Sequence, residues 1–382
     1  MEIIIQVCIL NIHFTSDLRP QTSDLRPQTS DMDRLKEPRN DVPSKKKTPY
    51  HIRTELREYL LKYDREVRLP VQYSDLLRFN LSTPLRDKEG RDTLWHTVYY
   101  DESEMKELFP NLTYVYALMN TDGDTAVMEH LSVARIDYCT FANTRPFRIR
   151  IINRLNDNYD HFYIKIADAS RVYGLELEHV LSPNRIIYMT DGNTLIEEHI
   201  PGLPGDEFIA HRLDTLKFNQ IRICKEFVKF NERCFVRLLG DMRSYNFVVD
   251  ITPDIEGNQY RLRAIDFDQQ SYEGRLKMYL PHYFKENVNL VQLGMKHMDE
   301  TTMRQYQEEE RTLIANRFRS GYYRLEDLFK IMNIDTLSHP EKIQQLRTEL
   351  SDHYKNPVFE SCSTMGQLVF ECLAQVVGKR GT

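Results

Sequence analysis

The chain has 382 residues, 41% of them hydrophobic and 28% charged, which is enough for two packed units or for one two-lobed domain with extensions. Its net charge of −6 argues against a nucleic-acid-binding protein, because binding to a phosphate backbone needs clustered Lys and Arg. The six cysteines form no C-x-x-C pair and no zinc-like cluster with histidines, so we expect reduced thiols in a cytoplasmic protein.

The first 47 residues are predicted to form a disordered leader outside the fold. Residues 1–14 are apolar but too short to span a bilayer, so we expect no membrane partner. Residues 16–22 are repeated at once without change, and the proline in each copy interrupts any helix. One interpretation is an over-extended gene start that leaves residues 1–31 untranslated, and the alternative is a genuine leader. Lys47, at its end, is expected to belong to a solvated linker.

An N-terminal extension is predicted over residues 48–130. Apolar residues at helical spacing predict a helix over 49–63. Aromatic and β-branched residues predict strands over 93–100 and 112–119, with a short helix over 102–109 between them. We favour the interpretation that this extension packs on or extends the β-rich lobe that follows it. The alternative is a separate module that recognises an acceptor or a partner.

A β-rich lobe is predicted over residues 131–200. Alternating residues and a polar link indicate that its first two strands form a hairpin. A helix over 170–181 follows, and two further strands surround a tight turn. The four strands of this lobe are expected at residues 147–154, 161–167, 185–189 and 194–200.

A helical half is predicted over residues 201–382, after a segment rich in Gly and Pro. Its first helices are expected over 206–213 and 216–234. Two short strands then form a second hairpin, and most of the remaining chain up to residue 377 has a helical pattern. The hairpin strands are predicted at residues 246–251 and 260–265.

Three short motifs in the predicted strands and loops contain polar residues next to apolar ones. Lys165 lies in the middle of a strand, and Asp241 and Asn246 are separated by four residues before the next hairpin. Asp266 ends the second hairpin strand and is followed by Phe and by Asp268. A carboxylate in an apolar run is costly unless it has a partner such as a metal ion, which makes Asp266 the strongest single signal.

This set of residue types suits phosphoryl transfer. A lysine can neutralise the phosphates of ATP, and Mg²⁺ prefers the oxygen ligands that carboxylates and side-chain amides supply. A further carboxylate can orient an attacking hydroxyl and accept its proton, and little other covalent chemistry is left to the protein.

The order of these motifs resembles the protein-kinase-like superfamily, in the style of aminoglycoside- and choline-kinase-like phosphotransferases. Members of that group show H-G-D-x-x-x-x-N followed by I-D-F/W-D/E, and residues 240–246 and 265–268 resemble these motifs. The resemblance covers less than half of the chain. It implies an α+β, bilobal protein-kinase-like fold with a β-rich N-lobe and an α-helical C-lobe, and it implies ATP and Mg²⁺ as cofactors.

The resemblance also implies a role for each matching residue. Lys165 would contact the ATP phosphates, and Glu176 or, second, Glu178 would pair with it from the helix. Asp241 would be the catalytic base. The hinge whose backbone meets adenine would be Glu197, Glu198, His199 and Ile200. The metal-binding residues would be Asn246 and Asp266, with Asp268 supporting the second metal shell.

The sequence also departs from the family pattern. Leu239 stands where the family has histidine, residues 138–146 lack the glycines of the phosphate-covering loop, and no A-P-E segment follows Asp266. We expect an ATP- and Mg²⁺-dependent phosphotransferase that acts on a hydroxyl-bearing acceptor, with a small molecule favoured over a protein. The alternative is a pseudokinase that serves as a nucleotide-binding or scaffolding module.

Overall fold

A computed structural model of the chain shows an α+β protein with an antiparallel sheet and a helical C-terminal part. It describes residues 47–121, 125–140, 142, 144–213, 219–255 and 257–378. The predicted leader up to residue 46 lies outside the described residues. So does the start of the helix predicted over 216–234.

Seven strands form one sheet in which all neighbouring strands are antiparallel. The strands are β1 (Leu81–Arg86), β2 (Asp92–Tyr99), β3 (Leu131–Cys139), β4 (Phe147–Asn153), β5 (Tyr159–Ile166), β6 (Tyr188–Asp191) and β7 (Thr194–Glu198). Their order in the sheet is β1-β2-β3-β4-β5-β7-β6. The predicted hairpin of β4 and β5 is confirmed, with Phe147 opposite Ile164. Strands β1 and β2 join the sheet through the pairing of β2 with β3.

The remaining elements are eleven helices among the described residues and a small second sheet. The helices are α1 (Thr54–Lys62), α2 (Tyr73–Leu76), α3 (Glu102–Thr121), α4 (Ala169–Leu181), α5 (Gly205–His211), α6 (Gln220–Val236), α7 (Val288–His297), α8 (Glu300–Ser320), α9 (Tyr322–Met332), α10 (Pro340–Tyr354) and α11 (Met365–Val377). The second sheet has the order β10-β9-β8, with β8 (Leu203–Pro204), β9 (Phe247–Asp254) and β10 (Gly257–Ala264).

The predicted strand over residues 112–119 is wrong, because α3 runs without a break through this segment. Its aromatic and β-branched residues suggest a strand, but Leu108, Leu112 and Val115 recur at helical spacing and pack into the core beneath the sheet. Pro110 lies inside the helix and does not end it. Burial of one helical face against the sheet therefore outweighs local strand preference.

Two hydrophobic cores position the elements. One lies between the sheet and α3 and includes Ile149, Phe162 and Ile164. The other fills the helical part and extends to α1 and α4. Helix α4 is buried along almost its whole length, so the charged residues within it need charged or hydrogen-bonding partners. No helix in the described ranges combines the length and apolar composition needed to cross a membrane.

The substitution Gly366→Ala is expected to lower the free energy of unfolding by about 1–3 kcal/mol, although alanine is the better helix former. A Cβ atom at Gly366 would lie 2.1 Å from the carbonyl oxygen of Met332, so α11 would have to move away from the end of α9. Urea denaturation measures the effect.

The matched control is Gly294→Ala in α7, where the nearest atom to a Cβ is Met298 Cε at 3.7 Å. This change should raise the free energy of unfolding by about 0.5–1 kcal/mol. Equal effects of the two substitutions would contradict the close packing of α11 on the end of α9.

Candidate functional site

The site centres on Arg171, a buried arginine in the first turn of α4. Its guanidinium group binds both carboxylate oxygens of Glu197 on β7, with the Nη2–Oε2 distance at 2.7 Å. The Nη1 atom donates to Asp266 Oδ1 and to Asp268 Oδ1, both at 2.8 Å. One side chain therefore connects the large sheet with the segment that follows β10.

Local structure fixes where α4 begins and where Arg171 points. Asp168 caps the helix by accepting a hydrogen bond from the backbone N–H of Arg171. The same carboxylate accepts from Lys47 Nζ at 2.7 Å, and Lys47 Nζ also donates to the backbone oxygen of Asp268 at 2.7 Å. Lys47 is buried, which contradicts its prediction as a solvated linker residue.

Lys165 lies on the face of the sheet opposite α3. Lys165 pairs with Leu195 in the register of β5 and β7, and Tyr163 pairs with Glu197, so Lys165 and Glu197 are diagonal neighbours on one face. The distance from Lys165 Nζ to Glu197 Oε2 is 2.7 Å. Burial and the nearby charge of Arg171 lower the pKa of Lys165, and Glu197 opposes this shift.

Glu197 is held in its ionised form. Burial alone would raise its pKa, but the charges and hydrogen bonds of Arg171 and Lys165 lower the pKa of Glu197 to about 2. Its predicted role was a backbone contact to adenine, whereas the structure shows its side chain to be the shared partner of two cations. Sequence spacing alone gave no sign of this contact.

The predicted pair between Lys165 and a glutamate of α4 is not formed. Glu176 faces the helical part of the protein, where the distance from its Oε2 to Arg324 Nη2 is 2.8 Å. It also accepts hydrogen bonds from two tyrosines, Tyr59 and Tyr188. Glu178, the second candidate, pairs with Arg237.

Helix geometry explains this correction. Residues five apart on an α-helix point about 140° away from each other, so a helix that directs Arg171 towards β7 must direct Glu176 elsewhere. At this junction α4 supplies a cation, and strand β7 supplies the carboxylate that pairs with Lys165.

The loop between α6 and β9 holds Asp241 in a left-handed conformation with φ of 58°. Its backbone N–H donates to the Met278 carbonyl at 3.0 Å. Arg243 Nε donates to Asp241 Oδ1 at 2.8 Å, and the same arginine contacts Glu286. Burial raises the pKa of Asp241, and Arg243 partly offsets the shift.

Asn246 connects this loop with Asp266. Its side-chain nitrogen donates to the backbone oxygen of Asp241 at 2.7 Å, and its own backbone oxygen accepts from the N–H of Ile265 at 3.0 Å. Leu239, which replaces the family's histidine, is fully buried in the core. The backbone contacts of Asp241 and the Arg243 side chain support the loop here.

The other predicted hinge residues continue from β7. Glu198 ends the strand, and its backbone N–H donates to the Ile187 carbonyl at 3.0 Å. The ring nitrogen of His199 lies 3.1 Å from the hydroxyl of Tyr163, on the face of the sheet that carries Lys165. Ile200 packs in the core of the helical part.

Seven side chains form what we call the charge cluster: Lys47, Lys165, Asp168, Arg171, Glu197, Asp266 and Asp268. Three are cations and four are carboxylates, so the cluster carries one excess negative charge when all are ionised. Burial, together with the charge of Asp268, raises the pKa of Asp266 to about 6, although Arg171 opposes the shift. Asp266 is also the most exposed of the carboxylates paired with Arg171.

The carboxylates of the charge cluster and the nearby Asn246 are the oxygen donors available for the predicted magnesium site. No group of three or more His, Cys, Asp or Glu side chains is arranged to hold a metal ion within the part of the chain that the structure describes. Asp266 and Asn246 nevertheless fit a hard cation, because both offer oxygen atoms and the cluster has an excess negative charge. Both aspartates contact Arg171, and Asp268 fits less well because it is more deeply buried than Asp266.

Arg171, Arg243 and Lys47 were not among the site residues predicted from the sequence. Arg171 had no local signal, because α4 also carries Glu176, Glu178 and His179, and only the structure shows that nearly the whole helix is buried. Lys47 had none, because its partners lie 121 and 221 residues further along the chain.

Neither a family model nor a curated protein sequence matches this chain. The chemistry that the site can perform therefore has to be inferred from its own residues and contacts. These contacts link three of the predicted residues, Lys165, Asn246 and Asp266. Lys165 contacts Glu197, which contacts Arg171, and Arg171 contacts Asp266. Asn246 accepts a hydrogen bond from the backbone N–H of Ile265, the residue before Asp266.

Asp266 is expected to make the free energy of unfolding fall as the pH rises from about 4 to about 6. Its pKa is about 6 in the folded protein against an ordinary value of 3.8, so the folded state binds the proton more tightly. This advantage is present below the unfolded pKa and is lost as the pH passes the folded pKa.

Urea denaturation of wild type and Asp266→Asn over this pH range measures the contribution as the difference between the two curves. The control is Asp254→Asn, because hydrogen bonds lower the pKa of Asp254 and its contribution should have the opposite sign. Parallel curves for wild type and Asp266→Asn would show that the carboxyl is not perturbed.

Proposed function

We propose that the chain is an ATP- and Mg²⁺-dependent phosphotransferase with a bilobal protein-kinase-like arrangement. One observation carries the proposal. The lysine expected to meet phosphates is connected, through Glu197 and Arg171, with the carboxylate expected to meet the metal. Side chains from distant parts of the sequence thus share one charge cluster, as phosphoryl transfer by placement and charge requires.

Each residue has a role that suits its surroundings. Lys165 would contact the phosphates of ATP, and Glu197 would keep its ammonium group in place. Asp241 would accept the proton of the acceptor hydroxyl. Its buried position raises its pKa, and a catalytic base works best when its pKa approaches the working pH. Arg243 would position this carboxylate by its hydrogen bond.

Asp266 and Asn246 would hold Mg²⁺, and Asp268 would support them through the guanidinium of Arg171. When bound, the metal ion neutralises charge on the phosphates. The excess negative charge of the cluster and the raised pKa of Asp266 both favour the arrival of a further cation. The lack of an A-P-E segment favours a small-molecule acceptor over a protein.

A second candidate function is a pseudokinase that binds nucleotide without turning it over. The specific observation in its favour is that Arg171 bridges Asp266 and Asp268 and so neutralises part of the charge that a metal ion would otherwise meet. The absence of glycine from residues 138–146 supports the same candidate, because few backbone amides can then approach the phosphates.

Mg-ATP is expected to raise the melting temperature of the wild-type protein, and Asp266→Ala should lose most of that shift because it removes a metal ligand. Asp241→Ala should keep the shift but lower ATP turnover with a panel of hydroxyl acceptors by about 10²- to 10⁴-fold. The control is Asp254→Ala, which removes an exposed carboxylate from β9 and should behave as wild type.

The two candidate functions give different results in the same experiment. A melting-temperature shift that persists when EDTA replaces Mg²⁺, with no turnover of any acceptor, would favour the pseudokinase. Equal turnover in wild type, Asp241→Ala and Asp266→Ala would reject the assignment of these residues.

A further inference from the structure

A basic pocket of about 440 Å³ lies between the C-terminal end of α4 and the junction of α8 and α9. No aspartate or glutamate is among the residues that line it. Three arginines line it, Arg185, Arg317 and Arg324. His179 also lines the pocket, and burial together with the charge of Arg65 lowers its pKa to about 4. Its volume falls in the range of pockets that bind small molecules.

Two of these arginines have no anionic partner in contact. One guanidinium nitrogen of Arg317, Nη1, is buried without a hydrogen-bond partner among the described residues. Burial and the nearby arginines lower the pKa of Arg317, although Glu310 and Glu178 partly offset this. The exposed Arg185 side chain makes no hydrogen bond or ion pair with any residue that the structure describes. The pocket therefore holds positive charge that its own walls do not neutralise.

The rest of the pocket adds hydrogen-bond donors. Gly321 is the N-cap of α9, an eleven-residue helix, and no side chain caps this helix end. The positive end of α9 meets the pocket together with the negative ends of α4 and α8, so the positive field of the pocket comes from its arginines and not from the helix ends. Ser182 accepts from the N–H of Asn184, which leaves its hydroxyl hydrogen free to donate. Arg324 is anchored by Glu176 behind the pocket, which fixes its guanidinium in place.

We propose that this pocket binds a phosphate group, either of inorganic phosphate or of a small soluble phosphoester. Arginine suits this ligand because its planar guanidinium forms paired hydrogen bonds with phosphate oxygens. The pocket is distinct from the charge cluster. His179 follows Arg171 by eight residues on α4, which corresponds to about 12 Å along the helix axis.

The test is isothermal titration of the full-length protein with inorganic phosphate and with a phosphomonoester such as glycerol phosphate. Saturable binding is expected for wild type. Arg185→Gln and Arg317→Gln should each weaken it by about tenfold or more, as expected for loss of a hydrogen bond to a charged group. The control is Arg261→Gln, which removes an exposed arginine from β10 and should leave the affinity unchanged.

Both pocket variants should fold, because neither arginine side chain makes a hydrogen bond with a described residue and the backbone hydrogen bonds of both residues are kept. Thermal unfolding checks this. Phosphate that binds only at the charge cluster would be insensitive to both substitutions, and this result would overturn the proposal. So would the absence of saturable binding. A parallel experiment uses phosphatidylcholine vesicles that contain phosphatidic acid. Binding to these vesicles without binding of either soluble ligand would assign the pocket to a lipid headgroup and would reject the proposal of a soluble ligand.

Discussion

The structure depends on how one buried guanidinium group is neutralised. An isolated charge of this kind costs several kcal/mol to bury, and only well-placed partners with good geometry recover that cost. Arg171 meets this condition through three carboxylates, one on β7 and two after β10. Because α4, β7 and the end of the second hairpin must all satisfy the same side chain, their relative positions are fixed together.

This constraint also orders the charges of the site. Glu197 contacts both Lys165 and Arg171, and Arg171 also contacts Asp266 and Asp268. Cations and anions therefore alternate along this row of side chains. In the proposed function a further cation would bind beside Asp266, the most exposed of the three carboxylates that contact Arg171.

The sequence predicted those parts of the fold in which local pattern and packing agree. The hairpin of β4 and β5 has a strict alternation with one apolar face, and that alternation is enough to define it. Helix α3 was divided wrongly because its second half has the composition of a strand, and only the core beneath the sheet determines its helical state.

In the site, Asn246 contacts the backbone of Asp241 and the backbone of Ile265, the residue before Asp266, and the roles predicted for these residues stay predictions. The predicted partner of Lys165, Glu176, was wrong. The direction of a helix side chain depends on how the helix is rotated about its axis, and the spacing of residues in the sequence does not give that rotation. Lys47 and Arg171 are fixed by contacts between distant segments. No local pattern contains such contacts, so the sequence could not supply them.

The most direct test of the role of Arg171 is a double-mutant cycle with Arg171→Met and Glu197→Gln, measured as free energies of unfolding in urea. If the guanidinium joins α4 to β7 as described, the two effects should be strongly non-additive, with a coupling energy of about 1–3 kcal/mol. Effects that add to within about 0.5 kcal/mol would show that the two side chains do not depend on each other and would contradict this account.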